Sequence, residues 1–218
     1  MTVAQRYKEV LTRFEKEMPI AETELHFDSP FQLLVAVILS AQCTDRRVNI
    51  VTPALFKAFP TAEAMAAAQV DDVLEYVKSV TYPNSKAAHL VEMAKIVTEK
   101  FGGEVPSDFD DLISLPGVGR KTANVVLAVH FGKPTMAVDT HVFRVSERIG
   151  LTTNSRTPYA TEKALCRHIP EQLIPKAHHW LILHGRYVCK AQKPQCSKCF
   201  LNDVCRFHLK SLKLSDDR

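Results

Sequence analysis

The sequence predicts an all-α protein, and three observations support that fold class. Apolar residues recur at spacings of three and four, which places them on one face of a helix. Glycine is scarce, with seven in 218 residues and none before Gly102, and this disfavours an all-β chain with many tight turns. Convincing alternation of polar and apolar residues is absent, although residues 135–138 could be extended. We therefore expect helices packed around one core or two.

The predicted helices follow from three apolar stripes and two start signals. Asp28 or Ser29 can cap a helix whose first residue is Pro30, and Thr61 is a weaker cap without a reciprocal acid. We interpret the stripes as core positions. They comprise Tyr7, Val10, Leu11, Phe14 and Met18; Val70, Val73, Leu74, Val77 and Val80; and Leu90, Met93, Ala94, Val97 and Phe101.

Composition excludes several classes of protein. With 46% apolar and 24% charged residues, the chain is neither disordered nor collagen-like. The longest uncharged apolar run, residues 31–41, is shorter than the ~18 residues that a membrane-spanning helix needs, so no membrane partner is expected. The amino terminus lacks the apolar centre of a signal peptide. We expect a protein of the reducing cytoplasm.

The positive charge is concentrated near the carboxyl terminus. The net charge is only +4, but residues 184–218 contain eight Lys or Arg and three Asp or Glu. This distribution suits a polyanion such as nucleic acid. The alternative is a solvated basic face.

Residues 108–130 predict a helix-hairpin-helix. Pro116 ends a first helix, Gly117 and Gly119 permit a tight reversal, and a second helix starts near Arg120. The amide protons at the start of that second helix form an anion site, which a DNA phosphate would fit. The alternative is an αα-turn without a ligand.

Lys121 and Asp139 are the candidate catalytic pair. Lys121 follows Arg120 near the positive end of the second helix, an environment that favours the uncharged, nucleophilic amine. Asp139 follows an apolar segment and can cap the next helix, but its carboxylate could also transfer protons or stabilise a cationic sugar. The alternatives are a phosphate-binding lysine and a carboxylate that only caps. Spacing alone leaves open whether the two meet.

Four cysteines predict a metal site. They occur as Cys189-x6-Cys196-x2-Cys199-x5-Cys205, and four thiolates bind either zinc or an iron–sulfur cluster. Because zinc sites usually show two Cys-x-x-Cys pairs and this segment has one, the spacing favours iron–sulfur. We expect a structural role rather than electron transfer. The two other cysteines, Cys43 and Cys166, are expected to be buried small hydrophobes.

The cysteine segment also contains several lysines. Three lysines lie between the predicted cysteine ligands: Lys190, Lys193 and Lys198. A loop held by metal would present them to phosphates. The alternative is a solvated loop.

Taken in order, these motifs resemble the endonuclease III family of bacterial DNA glycosylases with lyase activity. The resemblance rests on residues 115–124, residues 138–141, residues 178–186 and the four-cysteine segment. It implies a helix-hairpin-helix glycosylase fold of two helical lobes: a six-helix domain over residues 24–132, and a second domain of residues 1–23 and 133–218. It also implies double-stranded DNA as partner, a monomer, a nucleoid-associated cytoplasmic location and a [4Fe-4S] cluster on Cys189, Cys196, Cys199 and Cys205.

The resemblance further implies roles for individual residues. Lys121 corresponds to the nucleophile and Asp139 to the catalytic acid of an enzyme that flips out oxidised pyrimidines, removes them and cleaves the abasic site. Gln42 resembles the residue that fills the gap left by the flipped base. The family's second wedge loop, of the type Gly-Leu-Tyr-Asn-Ser-Lys, here reads Thr81-Tyr82-Pro83-Asn84-Ser85-Lys86. We predict that Tyr82 intercalates; the alternative is a tyrosine packed on the surface.

Three other functions are compatible with parts of the sequence. A mismatch-specific glycosylase of the same superfamily would share the fold, but its monofunctional members lack an amine at the place of Lys121. A non-catalytic DNA-binding module would use the hairpin and the metal loop but would not need Lys121 and Asp139. An iron–sulfur redox sensor would require DNA affinity that depends on potential.

Overall fold

The computed structural model describes residues 1–216, with side chains described as far as residue 212, and the described chain is helical without strands. The predicted all-α fold class is confirmed. The chain divides into two compact units, one of Glu24–Gly132 and one that combines Met1–Thr23 with Lys133–Arg218. Within the described residues, none of the helices combines the length and apolarity needed to cross a bilayer.

The unit of Glu24–Gly132 contains seven helices, two of which are only five residues long. These helices are α2 (Pro30–Ser40), α3 (Asp45–Ala58), α4 (Ala62–Ala66), α5 (Val70–Val77), α6 (Pro83–Phe101), α7 (Phe109–Ile113) and α8 (Arg120–Val129).

Helix α2 is the central helix of this unit. Of the two predicted caps, Ser29 is the one used: its side chain accepts a hydrogen bond from the Gln32 amide at 3.2 Å, and Pro30 occupies the first turn. Eight of its eleven residues are buried because it is apolar on nearly all sides. It packs against α8 and α3, while α6 packs against α4 and α5.

The predicted stripes lie mainly in the core. Tyr7, Val73 and Leu90 are typical members that are buried. Val70 is an exception, because it begins α5 and is exposed. Residues 135–138 do not form a strand, although three of them are buried.

The second unit contains α1 (Val3–Glu17), α9 (Thr140–Ile149), α10 (Pro158–His168), α11 (Ile174–Tyr187) and α12 (Arg206–Asp216). Its core joins the amino-terminal helix to the carboxyl-terminal half. Phe14 stacks on Trp180 with ring centroids 5.6 Å apart, and the Trp180 indole N–H donates to the Met18 carbonyl at 2.8 Å. These contacts attach α1 to α11.

Candidate functional site

The helix-hairpin-helix is formed by α7, a six-residue turn and α8. Asp108 starts α7 by accepting hydrogen bonds from two amides of the first turn. Gly117 has φ +77°, and a Cβ there would lie 3.1 Å from His89 Cβ and 3.3 Å from Ile38 Cγ2. Both the backbone conformation and the close approach of α2 and α6 therefore require glycine at this turn.

The amino terminus of α8 has the properties of an anion site. Gly119 is the N-cap residue and has no side chain to cap the first-turn amides, and the first turn contains no acidic residue. Arg120 and Lys121 are both exposed there, with the Arg120 guanidinium 4.9 Å from the centre of the Phe109 ring. Since the residues that follow are buried, Lys121 lies at the boundary between the core and solvent.

Asp139 is the N-cap residue of α9, as its position in the sequence predicts. Its Oδ1 accepts a hydrogen bond from the Val142 amide at 2.8 Å, and its side chain is half-buried. Two residues earlier, the Ala137 amide donates to Nδ1 of the buried His178 on α11 at 3.2 Å. An Nδ1 that accepts is unprotonated, so His178 anchors the segment that leads to Asp139. Sequence reasoning assigned no separate role to His178.

Helix α9 lies very close to α11. Arg144 donates to the Gly185 carbonyl at 2.9 Å and to the Cys189 carbonyl at 3.2 Å. A Cβ on Gly185 would lie only 2.8 Å from His141 Cβ, so this crossing depends on the absence of a side chain. Lys121 and Asp139 belong to different units, and each is therefore positioned by its own set of contacts.

Gln42 and Tyr82, the two predicted wedge residues, lie on segments that are hydrogen-bonded to each other. Both are exposed, Tyr82 to 61%, and both have left-handed backbones, with φ of 54° and 55°. The Thr81 hydroxyl donates to the Gln42 carbonyl at 2.8 Å. Left-handed backbones are uncommon outside glycine and often mark functional sites.

Lys86 is a buried residue of this region that sequence reasoning did not single out. Its side chain amine donates to the Leu39 carbonyl at 2.8 Å and to the Ala41 carbonyl at 2.7 Å, at the carboxyl end of α2. Burial lowers the pKa of Lys86, and the neighbouring Cys43 opposes that shift. The sequence signal for Lys86 was its match to the lysine that ends the family's wedge loop.

The four cysteines of residues 189–205 line one small cavity, together with apolar side chains such as Ile149 and Leu201. Burial, together with the smaller effect of the other three thiols, raises the pKa of Cys199 to about 11, and the hydrogen bond from the Leu201 amide opposes that shift. Bound metal favours the thiolate, so this donor set suits a cationic iron–sulfur centre that would relieve the mutual repulsion. In the described part of the chain, no three His, Cys, Asp or Glu side chains converge as the ligands of a single ion do.

Side chains from neighbouring helices hold the cysteine segment in place. Arg148 of α9 donates to the carbonyls of Lys190 at 2.7 Å and Ala191 at 3.0 Å, and its guanidinium lies 3.6 Å from Cys189 Sγ. His184 Nε2 lies 3.5 Å from Cys199 Sγ. The predicted phosphate-binding residues Lys190, Lys193 and Lys198 are all exposed.

Comparison with protein families finds two matches. Residues 35–171 match the family described as HhH-GPD superfamily base excision DNA repair protein. Residues 189–205 match the family described as iron-sulfur binding domain of endonuclease III. The second match covers the segment from the first predicted cysteine ligand to the last.

Curated relatives and solved structures agree with these matches. The chain is 48% identical to an endonuclease III of Rickettsia felis over 94% of this chain and 96% of that protein. It is 47% identical to the endonuclease III of Escherichia coli strain K12, over 91% of this chain and 94% of that protein. A structure of a trapped endonuclease III–DNA covalent intermediate superimposes with a TM-score of 0.91 at 42% identity, covering 97% of this chain and all of that one.

Proposed function

The chain belongs to the endonuclease III family of base-excision DNA repair proteins, and from that premise we propose how its residues divide the work of repair. It is a DNA glycosylase and abasic-site lyase that carries a [4Fe-4S] cluster. Its proposed substrates are oxidised pyrimidines in duplex DNA. The observation that carries the proposal is Lys121, an exposed amine in the first turn of α8, where uncapped amides can hold a neighbouring phosphate.

Lys121 is the proposed nucleophile. Its neutral amine attacks C1′ of the deoxyribose, and the bond to the damaged base breaks as the base leaves with the bonding electron pair and takes up a proton. The sugar ring then opens and the amine nitrogen forms a protonated Schiff base with C1′. Because this cation acidifies C2′, loss of a C2′ proton expels the 3′ phosphate by β-elimination and nicks the strand.

Asp139 is the proposed proton-transfer group. Its Oδ1 accepts from the Val142 amide, and a carboxylate offers about four lone-pair sites, so it can accept a further proton or stabilise positive charge on the sugar. Capping and catalysis are therefore compatible in one side chain. The His178 contact that anchors the preceding segment supports a fixed position for this carboxylate.

Three groups of residues are proposed to bind the DNA. The hairpin residues Gly117, Gly119 and Arg120 would hold backbone phosphate, without reading bases. The exposed lysines of the cysteine segment would hold phosphate at a second place. Gln42 and Tyr82 would fill the gap that opens when the damaged base leaves the stack, Tyr82 by stacking of its ring.

The iron–sulfur cluster is proposed to be held by Cys189, Cys196, Cys199 and Cys205, the four cysteines around the cavity. When bound, the cluster supplies a fixed anchor for residues 189–205 and no chemistry at the sugar. We further propose that the protein is a cytoplasmic monomer and that it associates with the nucleoid by binding DNA.

Borohydride trapping tests this function, because borohydride reduces a Schiff base to a permanent crosslink. We expect the wild type to be trapped on duplexes that contain thymine glycol or an abasic site, and Lys121→Gln to bind both duplexes without being trapped. Lys95→Gln, at another exposed lysine, serves as the matched control and should be trapped like the wild type.

The other outcomes have distinct meanings. Trapping at the abasic site alone would leave a lyase with a different damaged base as substrate. No trapping by the wild type would favour a monofunctional glycosylase or a binding module. Loss of DNA binding by Lys121→Gln would contradict the separation of nucleophile and phosphate-binding roles.

A further inference from the structure

The segments that carry Gln42 and Tyr82 form one hydrogen-bonded assembly in the unit of Glu24–Gly132. Gln42 follows the carboxyl end of α2, and Tyr82 is the residue immediately before α6. Both exposed side chains project from left-handed backbones that are 40 positions apart in the sequence. Each such backbone is strained for a residue with a Cβ, so it persists only where the surroundings impose it.

Thr81 supplies one of the constraints. Its hydroxyl donates to the carbonyl of Gln42, the strained residue itself, at 2.8 Å. The family's wedge loop has glycine at this position, and glycine has no hydroxyl to make this bond. The link between the two segments is therefore a property of this sequence.

Lys86 supplies the second constraint, one turn into α6. Its buried amine donates to the Leu39 and Ala41 carbonyls, which are among the groups that the end of α2 leaves without partners. A cation at this end of a helix also interacts favourably with the helix dipole. The two hydrogen bonds fix the chain just before Gln42 to the helix that begins just after Tyr82.

We propose that Thr81 and Lys86 are positioning residues that hold Gln42 and Tyr82 as one pre-formed double wedge for the gap in the DNA stack. The inference rests on the proposed function, because it takes the wedge role of Gln42 and Tyr82 as given. Without the two links, each wedge would have to be ordered when DNA binds, and that cost would reduce affinity for the opened duplex. Affinity for intact duplex, which uses phosphate contacts, would be unaffected.

Substitutions of Thr81 test the proposal. The probes are a duplex with a tetrahydrofuran abasic-site analogue and the matching intact duplex, each titrated at one salt concentration. Thr81→Val removes the hydroxyl while keeping the shape of the side chain. Because it deletes one solvent-exposed hydrogen bond, we expect the Kd for the analogue duplex to rise roughly three- to tenfold. Thr81→Ser keeps the hydroxyl and should bind within about twofold of the wild type.

Thr98→Val is the matched control, because Thr98 lies on α6 and its hydroxyl has no hydrogen-bond partner. Its affinity for both duplexes should equal that of the wild type. Lys86→Met should weaken analogue binding at least as much as Thr81→Val. If Lys86→Met does not fold, the Thr81 series decides the question alone.

A double-mutant cycle separates positioning from a general structural role. In a Gln42→Ala, Tyr82→Ala background, there is no wedge to position, so Thr81→Val should change analogue affinity by less than about twofold. The proposal is overturned if Thr81→Val equals the wild type, if it weakens both duplexes equally, or if its effect persists in that background. Failure of the wild type to prefer the analogue duplex would instead refute the wedge role itself, and trapping through Lys121 would be tested independently.

Discussion

The contact between α9 and α11 leads to a sharp prediction for Gly185→Ala. A Cβ at Gly185 would lie 2.8 Å from His141 Cβ and 3.1 Å from Val145 Cγ2. Carbon atoms in contact are normally about 3.5–4.0 Å apart, so the two helices would have to separate locally by roughly 1 Å. His141 Cβ is bonded directly to the α9 backbone and cannot move away by rotation of its side chain.

Two opposing effects set the change in the free energy of unfolding that Gly185→Ala causes. Alanine is better than glycine inside a helix by about 1 kcal/mol. Overpacking costs about 1–3 kcal/mol, and separation of the helices would also weaken the 2.9 Å hydrogen bond from Arg144 to the Gly185 carbonyl. We therefore expect Gly185→Ala to lower the free energy of unfolding by about 1–2 kcal/mol. Because His141 is two residues from Asp139, the shift should also slow glycosylase turnover.

Urea denaturation measures the first effect and single-turnover base release the second. Gly119→Ala is the steric control in the denaturation series, because a Cβ there would meet nothing within 4 Å. It should cost less than Gly185→Ala, about 0.5–1 kcal/mol, the typical difference between glycine and alanine at an N-cap. If Gly185→Ala is as stable as the wild type or more stable, helix propensity outweighs the overlap and the reasoning from the crossing distance is refuted.

Two other predictions concern the cysteine segment and its attachment to α1. The Arg13 guanidinium holds the pKa of Asp203 below its ordinary value, so the stabilisation is complete above about pH 4 and is lost as the pH falls through the folded-state pKa. The stability difference between wild type and Asp203→Asn, followed by urea denaturation, should shrink as the pH falls below about 4 and through the folded-state pKa; a difference that stays constant over this range would contradict the pairing of Arg13 with Asp203. Cys196→Ala should lose bound iron, sulfide and visible absorbance, whereas Cys166→Ala, outside the cavity, should retain all three; equal iron contents would exclude Cys196 as a ligand.

Much of the local structure followed from neighbouring residues in the sequence. Ser29 and Asp139 cap their helices because a short polar side chain reaches an amide only three residues away. The hairpin turn likewise depends on the local freedom of Gly117. The motifs also identified the family, because their order and spacing are properties of the sequence itself. The catalytic and DNA-binding roles stay predictions that the trapping and binding experiments test.

Only the tertiary structure revealed which side chains support these residues. Lysine is usually a surface residue, yet Lys86 is buried because two carbonyls at the end of α2 accept hydrogen bonds from its amine. The hydrogen bond from Thr81 to Gln42 and that from Ala137 to His178 likewise join residues about 40 positions apart. Such contacts form only when the helices pack, and packing depends on the whole apolar surface rather than on any local pattern. The sequence by itself determined the helices, their caps and the motifs that identify the family, whereas tertiary packing decided how the predicted site residues are held.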